Sequence, residues 1–199
     1  MINQKKKKNK GFTLIELLIT MGVISALGAS IYLTIKKVQD KTLINQTMEL
    51  SSNVLQKINE AATVAENFES FGTETTFSTG NSAFSTVSDT LNDNLLKSNI
   101  FPATNIADKY LINSYGNRVG LYFSKTPNLF YLSQIGLEPG ACIQIGQNVQ
   151  NYADAVIVQS GGSGSFVKEL KGSFDREKLE MECLANKTST IVFIKSKEK

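Results

Sequence analysis

The sequence predicts an α+β protein, a long N-terminal α-helix packed on an antiparallel β-sheet head. Three observations predict it. An apolar run of 24 residues, Phe12–Ile35, follows a cluster of lysines. Apolar residues then recur at helical spacing as far as Phe68, with no proline before Pro102. Beyond Phe101 come four short runs of β-branched and aromatic residues, separated by turn residues.

The apolar run is the first element. At about 1.5 Å per residue, a helix over Phe12–Ile35 spans a hydrocarbon core of roughly 30 Å. A secretory signal peptide has a shorter apolar region followed by a small-residue cleavage site; this run instead leads through Lys36 and Lys37 into more helix. Its one charge is Glu16. An ionised carboxylate in a membrane span costs a few kcal/mol and marks function unless something compensates it. Gly22, Ser25, Ala26, Gly28, Ala29 and Ser30 are small enough for close helix packing.

The second element continues the helix. Ile44, Met48, Leu55, Ile58, Ala62 and Ala65 form one stripe, widened by Val54, Ala61 and Phe68, which fits packing against a globular head. A helix from Phe12 to about Phe68 is roughly 85 Å long. Gly72 and the Thr/Ser/Gly-rich stretch from Thr73 to Ser88 end it.

The head follows. Thr73–Asp108 reads as polar loop, with a short apolar-periodic piece around Val87, Leu91, Leu95 and Leu96. Strands are expected at Val119–Phe123, Leu129–Leu132, Ala155–Gln159 and Thr190–Ile194. Pro139 can start a helix carrying Cys142, Ile145 and Val149. A second short helix is expected over Asp175–Leu184, and Gly161–Ser165 reads as a flexible turn.

Composition bounds the function. The chain has 199 residues, 41% apolar and 20% charged, so it is neither disordered nor a polytopic membrane protein. Histidine is absent, which excludes Ser-His triads, His general bases and His metal ligands. Two cysteines alone cannot make a structural zinc site. No nucleophile–base pair, phosphate loop or ligand cluster appears, so no enzyme, cofactor or metal is expected. Asp89, Asp93, Asp108 and Asp154 read as turn, cap or solvated residues. Of the net charge of +3, five positives (Lys5, Lys6, Lys7, Lys8 and Lys10) lie in the first eleven residues, leaving −2 for the rest. No basic patch on the head points to nucleic acid.

The stretch Lys10-Gly11-Phe12-Thr13-Leu14-Ile15-Glu16-Leu17-Leu18 resembles the class III signal sequence of type IV pilins and their pseudopilin relatives. The resemblance implies a type IV pilin fold. It implies cleavage between Gly11 and Phe12 by a prepilin peptidase, N-methylation of Phe12, and retention of the apolar helix. It also implies that Glu16 pairs with the terminal amine of a neighbouring subunit, which supplies the missing compensation. Asn113–Asn117 is similar to the turn that opens the first strand in many pilins, with Ser114 in place of proline and Asn117 in place of glycine. Tyr131–Ser133 with Gly140–Cys142, and Glu182–Asn186 with Thr190–Ile194, resemble type IVb pilins of the bundle-forming kind.

On this reading residues 1–11 are a cleaved cytoplasmic leader, 12–35 a transmembrane and filament-core helix, 36–70 its amphipathic continuation, and 71–199 an α+β head. Before assembly the subunit is a single-pass inner-membrane protein with its head in the periplasm; afterwards it is part of an extracellular pilus. For an exported chain, Cys142 and Cys183 suggest one disulfide bounding region 142–183; two free thiols or a redox pair are the alternatives. The implied function is a structural pilus subunit for adhesion, aggregation or conjugative contact. The implied partners are other pilin subunits, the peptidase/methyltransferase, the inner-membrane assembly machinery and membrane lipid. A minor pilin, or a pseudopilin of type II secretion or DNA uptake, is the alternative.

Overall fold

The computed structural model describes residues 13–65, 68–71, 73–74, 91, 100–125, 128–160 and 163–197. The piece expected around Val87, Leu95 and Leu96, and the acids Asp89 and Asp93, lie outside them. The chain divides into two compact units, Met1–Lys41 and Thr42–Lys199.

Helix α1 occupies Leu14–Ala65, 52 residues. In the first unit its large apolar side chains, from Leu14 to Val38, are between 50% and 78% exposed. In the second unit the expected stripe is buried: Ile44, Val54, Leu55, Ile58 and Ala62 enter the core, and Met48 and Ala61 pack against it. Phe68 lies beyond the helix but is also buried, its ring 5.9 Å from that of Phe130.

The head is built on a six-stranded sheet. Its strands are β1 (Thr73–Glu74), β4 (Val119–Ser124), β5 (Leu129–Leu137), β6 (Ala155–Ser160), β7 (Ser163–Lys168) and β8 (Ser189–Ser196), in the order β1-β4-β5-β8-β6-β7. β1 runs parallel to β4, and every other pair is antiparallel. A separate hairpin pairs β2 (Ile106–Ala107) with β3 (Tyr110–Leu111). Helices α2 (Pro139–Val149) and α3 (Arg176–Leu184) complete the fold.

Successive strand residues point to opposite faces. On one face Leu121, Phe130, Leu132, Val156, Val158, Ile191 and Phe193 share a core with α1, α2 and α3. On the other, Tyr122, Leu129, Tyr131, Ile157, Val192 and Ile194 form a second cluster. Burial on both faces is why these strands read as nearly continuous apolar runs.

The strands outrun their sequence expectation where polar residues are buried. β5 continues past Leu132 through Ser133 and Gln134, both fully buried. Gln134 tolerates this because its amide is bonded at both ends. Its Nε2 donates to Ser51 Oγ of α1 at 2.9 Å, and its Oε1 accepts from Asn113 Nδ2 at 3.2 Å. Ser51 Oγ in turn donates to the Thr47 carbonyl at 2.8 Å. Asn113 Oδ1 accepts from the backbone N–H groups of Tyr115 and Asn117, both at 3.0 Å, which shapes the turn. A buried polar seam thus runs from α1 through the sheet to this turn. Ser51→Ala strands the Gln134 amide, and a loss of about 1–3 kcal/mol is expected. Chemical denaturation measures it, with Gln134→Leu in the Ser51→Ala background expected to recover part of the loss.

Two further elements depart from the sequence expectation. Residues Ser163–Ser165, expected within a flexible turn, open strand β7, which pairs with β6 from Ser160↔Ser163 onward. The β2–β3 hairpin turns on Asp108 (φ 49°) and Lys109 (φ 66°), left-handed positions usually held by Asn and Gly. Asp108 is the one turn residue of the pair, and Lys109 gives no turn signal. The hairpin is held from outside: Arg118 lies 3.6 Å over the Tyr110 ring, and the Leu91 N–H donates to the Lys109 carbonyl at 2.7 Å.

Candidate functional site

The start of α1 carries the most specific chemistry. Thr13 is the residue before the helix, and Glu16 is its third residue. The Glu16 Oε2 accepts from both the Thr13 N–H and the Thr13 Oγ1, each at 3.0 Å, and the Glu16 N–H donates to Thr13 Oγ1 at 3.3 Å. This is a reciprocal capping box that satisfies N–H groups the helix cannot bond internally. Glu16 is therefore compensated within its own chain by the positive end of its helix. The sequence signal was Thr-x-x-Glu before an apolar run. Both bonds fall on Oε2; Oε1 accepts none among the described residues. Gly11 and Phe12 lie outside them.

The Ser and Thr hydroxyls of the apolar stretch are turned back onto its own backbone. The hydroxyls of Thr20, Ser25, Ser30 and Thr34 donate to the carbonyls of Leu17, Met21, Leu27 and Ser30 at 2.8–2.9 Å. Each is thus satisfied without water or a partner, as a helix bordered by lipid or by other helices requires. A Cβ added at Gly22 or Gly28 would meet nothing within 4 Å, so both leave open notches on the helix surface. Among the described residues α1 is the one helix long and apolar enough to cross a membrane.

In the head, Cys142 of α2 and Cys183 of α3 form a disulfide, with Cα atoms 5.8 Å apart and the two cysteines 41 positions apart in sequence. Both cysteines are fully buried. The two helices approach closely beside it: a Cβ on Gly146 would lie 2.8 Å from Leu179 Cδ1, so any side chain there requires that buried leucine to move. The sequence expectation for both helices holds. Pro139 opens α2, and Asp175 caps α3 by accepting from the Lys178 N–H at 2.9 Å.

Lys168 of β7 closes the C-terminal end of α2, donating to the carbonyls of Gln150 (2.8 Å) and Ala153 (2.7 Å). Asp154, expected as a turn or solvated residue, instead binds Lys195 Nζ at 3.1 Å and the Ser196 N–H at 2.8 Å. Burial lowers the Lys168 pKa below its ordinary 10.5; Asp154 opposes the shift and Lys195 adds to it. A lysine with a lowered folded pKa disfavours folding while both states are charged. Stability is therefore expected to rise as pH climbs from the lowered value to 10.5. Lys168→Met is expected to remove that rise, read as the difference between the two proteins' pH–stability curves.

The N-terminal family described as "Prokaryotic N-terminal methylation motif" matches residues 6–32. No curated protein sequence matches the chain. Among solved structures, the chain is similar to TcpA, a type IV pilin from Vibrio cholerae El Tor biotype. The TM-score is 0.50 at 13% identity, covering 78% of this chain and 99% of that one. The type IV b pilin from Salmonella typhi gives a TM-score of 0.48 at 15% identity, covering 75% and 97%. At 13% identity the TcpA match speaks for the fold, and the methylation motif speaks independently for the N-terminus. An N-terminal methylation motif thus opens the long apolar helix, and the fold is similar to that of type IV pilins.

Proposed function

We propose that this protein is a non-enzymatic structural subunit of a type IV pilus. A prepilin peptidase cuts between Gly11 and Phe12, removing leader 1–11, and Phe12 is N-methylated. Residues 12–35 hold the subunit in the inner membrane with its head in the periplasm. They later pack in the core of an extracellular filament, while 36–70 and 71–199 form the continuation and head. The partners are further pilin subunits, the peptidase/methyltransferase, the assembly machinery and lipid. Adhesion, aggregation or conjugative contact is the use of such a filament.

The observation that carries the reading is the carboxylate of Glu16, half-satisfied among the described residues, on an apolar helix whose Ser and Thr hydroxyls bond its own carbonyls. Oε2 is taken by Thr13, and Oε1 is left for a neighbour's terminal ammonium. Lipid and a helix bundle are both apolar, so transfer between them changes little hydrophobic energy. The unpaired carboxylate then penalises every axial stagger that fails to bring an ammonium to it. The late acids support a pilin over a calcium-binding pseudopilin: Asp175 is spent as a helix cap, and Glu177, Glu180 and Glu182 lie within α3.

Intact mass of the chain in sheared surface filaments tests the proposal. A species beginning at methylated Phe12, and lighter by two hydrogens for the disulfide, is expected. A chain still carrying Met1–Gly11 in cells that process pilins overturns it, and a processed chain confined to the membrane fraction replaces it with the minor-pilin or pseudopilin reading.

A further inference from the structure

A groove of about 550 Å³ opens on the head, bounded by α1, the 3₁₀ turn Ala103–Asn105 and the turn that begins at Asn113. It belongs wholly to the second unit and takes no part in the assembly chemistry above. Gln46, Glu49 and Asn53 line it from one face of α1, at the i, i+3, i+7 spacing that aligns side chains. Thr104 and Ser114 add hydroxyls.

The polar groups divide into two sets. At the base, Asn105 and Asn113 are spent on the protein itself: Asn105 Nδ2 donates to the Ile112 carbonyl at 3.1 Å, and Asn113 is held in the buried seam. The side chains of Gln46, Glu49, Asn53 and Ser114 make no hydrogen bond among the described residues. The groove thus presents two carboxamides, a carboxylate and a hydroxyl on a base already fixed by its own bonds.

The chemistry of this set is selective. Among the described residues no lysine or arginine lines the groove, so a phosphate or carboxylate meets no counter-charge from them and is repelled by Glu49. Its apolar lining is scattered among polar groups, which does not suit an acyl chain. A carboxamide offers a donor and an acceptor side by side, and a carboxylate accepts two bonds at once. Adjacent hydroxyls on a ring satisfy both, and the volume lies within the range of small-molecule sites. The geometry points to a saccharide site, in which Gln46, Glu49, Asn53 and Ser114 hold an uncharged saccharide of one or two rings.

Saturation-transfer NMR on the full chain tests this, in micelles of a zwitterionic detergent without a sugar headgroup. Lactose, cellobiose and chitobiose at millimolar concentration are the probes. Transfer to at least one of them is expected, weakened at least tenfold in Gln46→Leu/Asn53→Leu and unchanged by inorganic phosphate. Glu49→Ala, at an exposed position, serves as a second variant should the double one unfold, and the same weakening is expected. Transfer to none of the probes, transfer indifferent to both variants, or displacement by phosphate overturns the assignment. So does hydrogen-exchange protection of residues 46–53 that appears only in filaments while no sugar binds the micellar chain. That result gives the groove to a second subunit.

Discussion

Glu16→Gln is expected to fold and insert normally yet to form almost no filaments. Glutamine keeps the capping box, because its side-chain oxygen can still accept from Thr13 in place of Oε2. What it loses is the charge. On the proposed pairing, leaving a buried ammonium without its carboxylate costs about 3–5 kcal/mol at each subunit contact. At tenfold per 1.4 kcal/mol, that is more than a hundredfold in association at every step. The yield of sheared filaments is therefore expected to fall at least a hundredfold, with the head's thermal midpoint unchanged. Thr13→Ala makes the complementary change: it removes the cap, keeps the charge, and is expected to cost only about 1 kcal/mol of helix stability. Wild-type filament yield from Glu16→Gln would reduce Glu16 to a helix cap and remove it from assembly.

The second large effect is expected from the disulfide. Cutting the Cys142–Cys183 link releases a loop of 41 residues, worth about 4 kcal/mol in the chain-entropy account. For a head of this size each kcal/mol moves the thermal midpoint by about 2–4 °C, so reduction is expected to lower it by roughly 8–16 °C. Both sulfurs are fully buried among apolar neighbours such as Ile145 and Leu179. A Cys142→Ser/Cys183→Ser pair also buries two hydroxyls and is expected to be less stable than the reduced protein, while a Cys142→Ala/Cys183→Ala pair avoids that term. Thermal scans with and without reductant make the measurement; coincident curves would show that the two helices hold together without the bond.

Much of this architecture was legible because it rests on local patterns. The stripe from Ile44 to Ala62, the four β-branched runs, Pro139 before α2 and Asp175 before α3 all report backbone state within a few residues. The exceptions have long-range causes. The strand expected to end at Leu132 runs on through Gln134, which is buried in it because Ser51 meets it from 83 positions away. The Asp108–Lys109 turn lacks glycine and is stabilised by Arg118 and Leu91 from outside the hairpin. Ser163–Ser165 has the composition of a linker and becomes a strand because β6 offers it an edge. The site divides in the same way. Glu16 was readable as the one charge in an apolar run, whereas its intrachain partner required attention to Thr13 three residues earlier.

The position of β8 has a consequence for how the molecule is made. It follows every other strand in the chain, yet it sits in the interior of the sheet, between β5 and β6. Until Ser189–Ser196 has emerged, β5 and β6 cannot be joined, and each presents an open edge. Pairings this distant in sequence form slowly, because the loop-closure entropy falls due before the contacts do. A nascent head is therefore held open until its final strand has emerged. A chaperone that shields unpaired strand edges thus has its window between the arrival of β6 and that of β8.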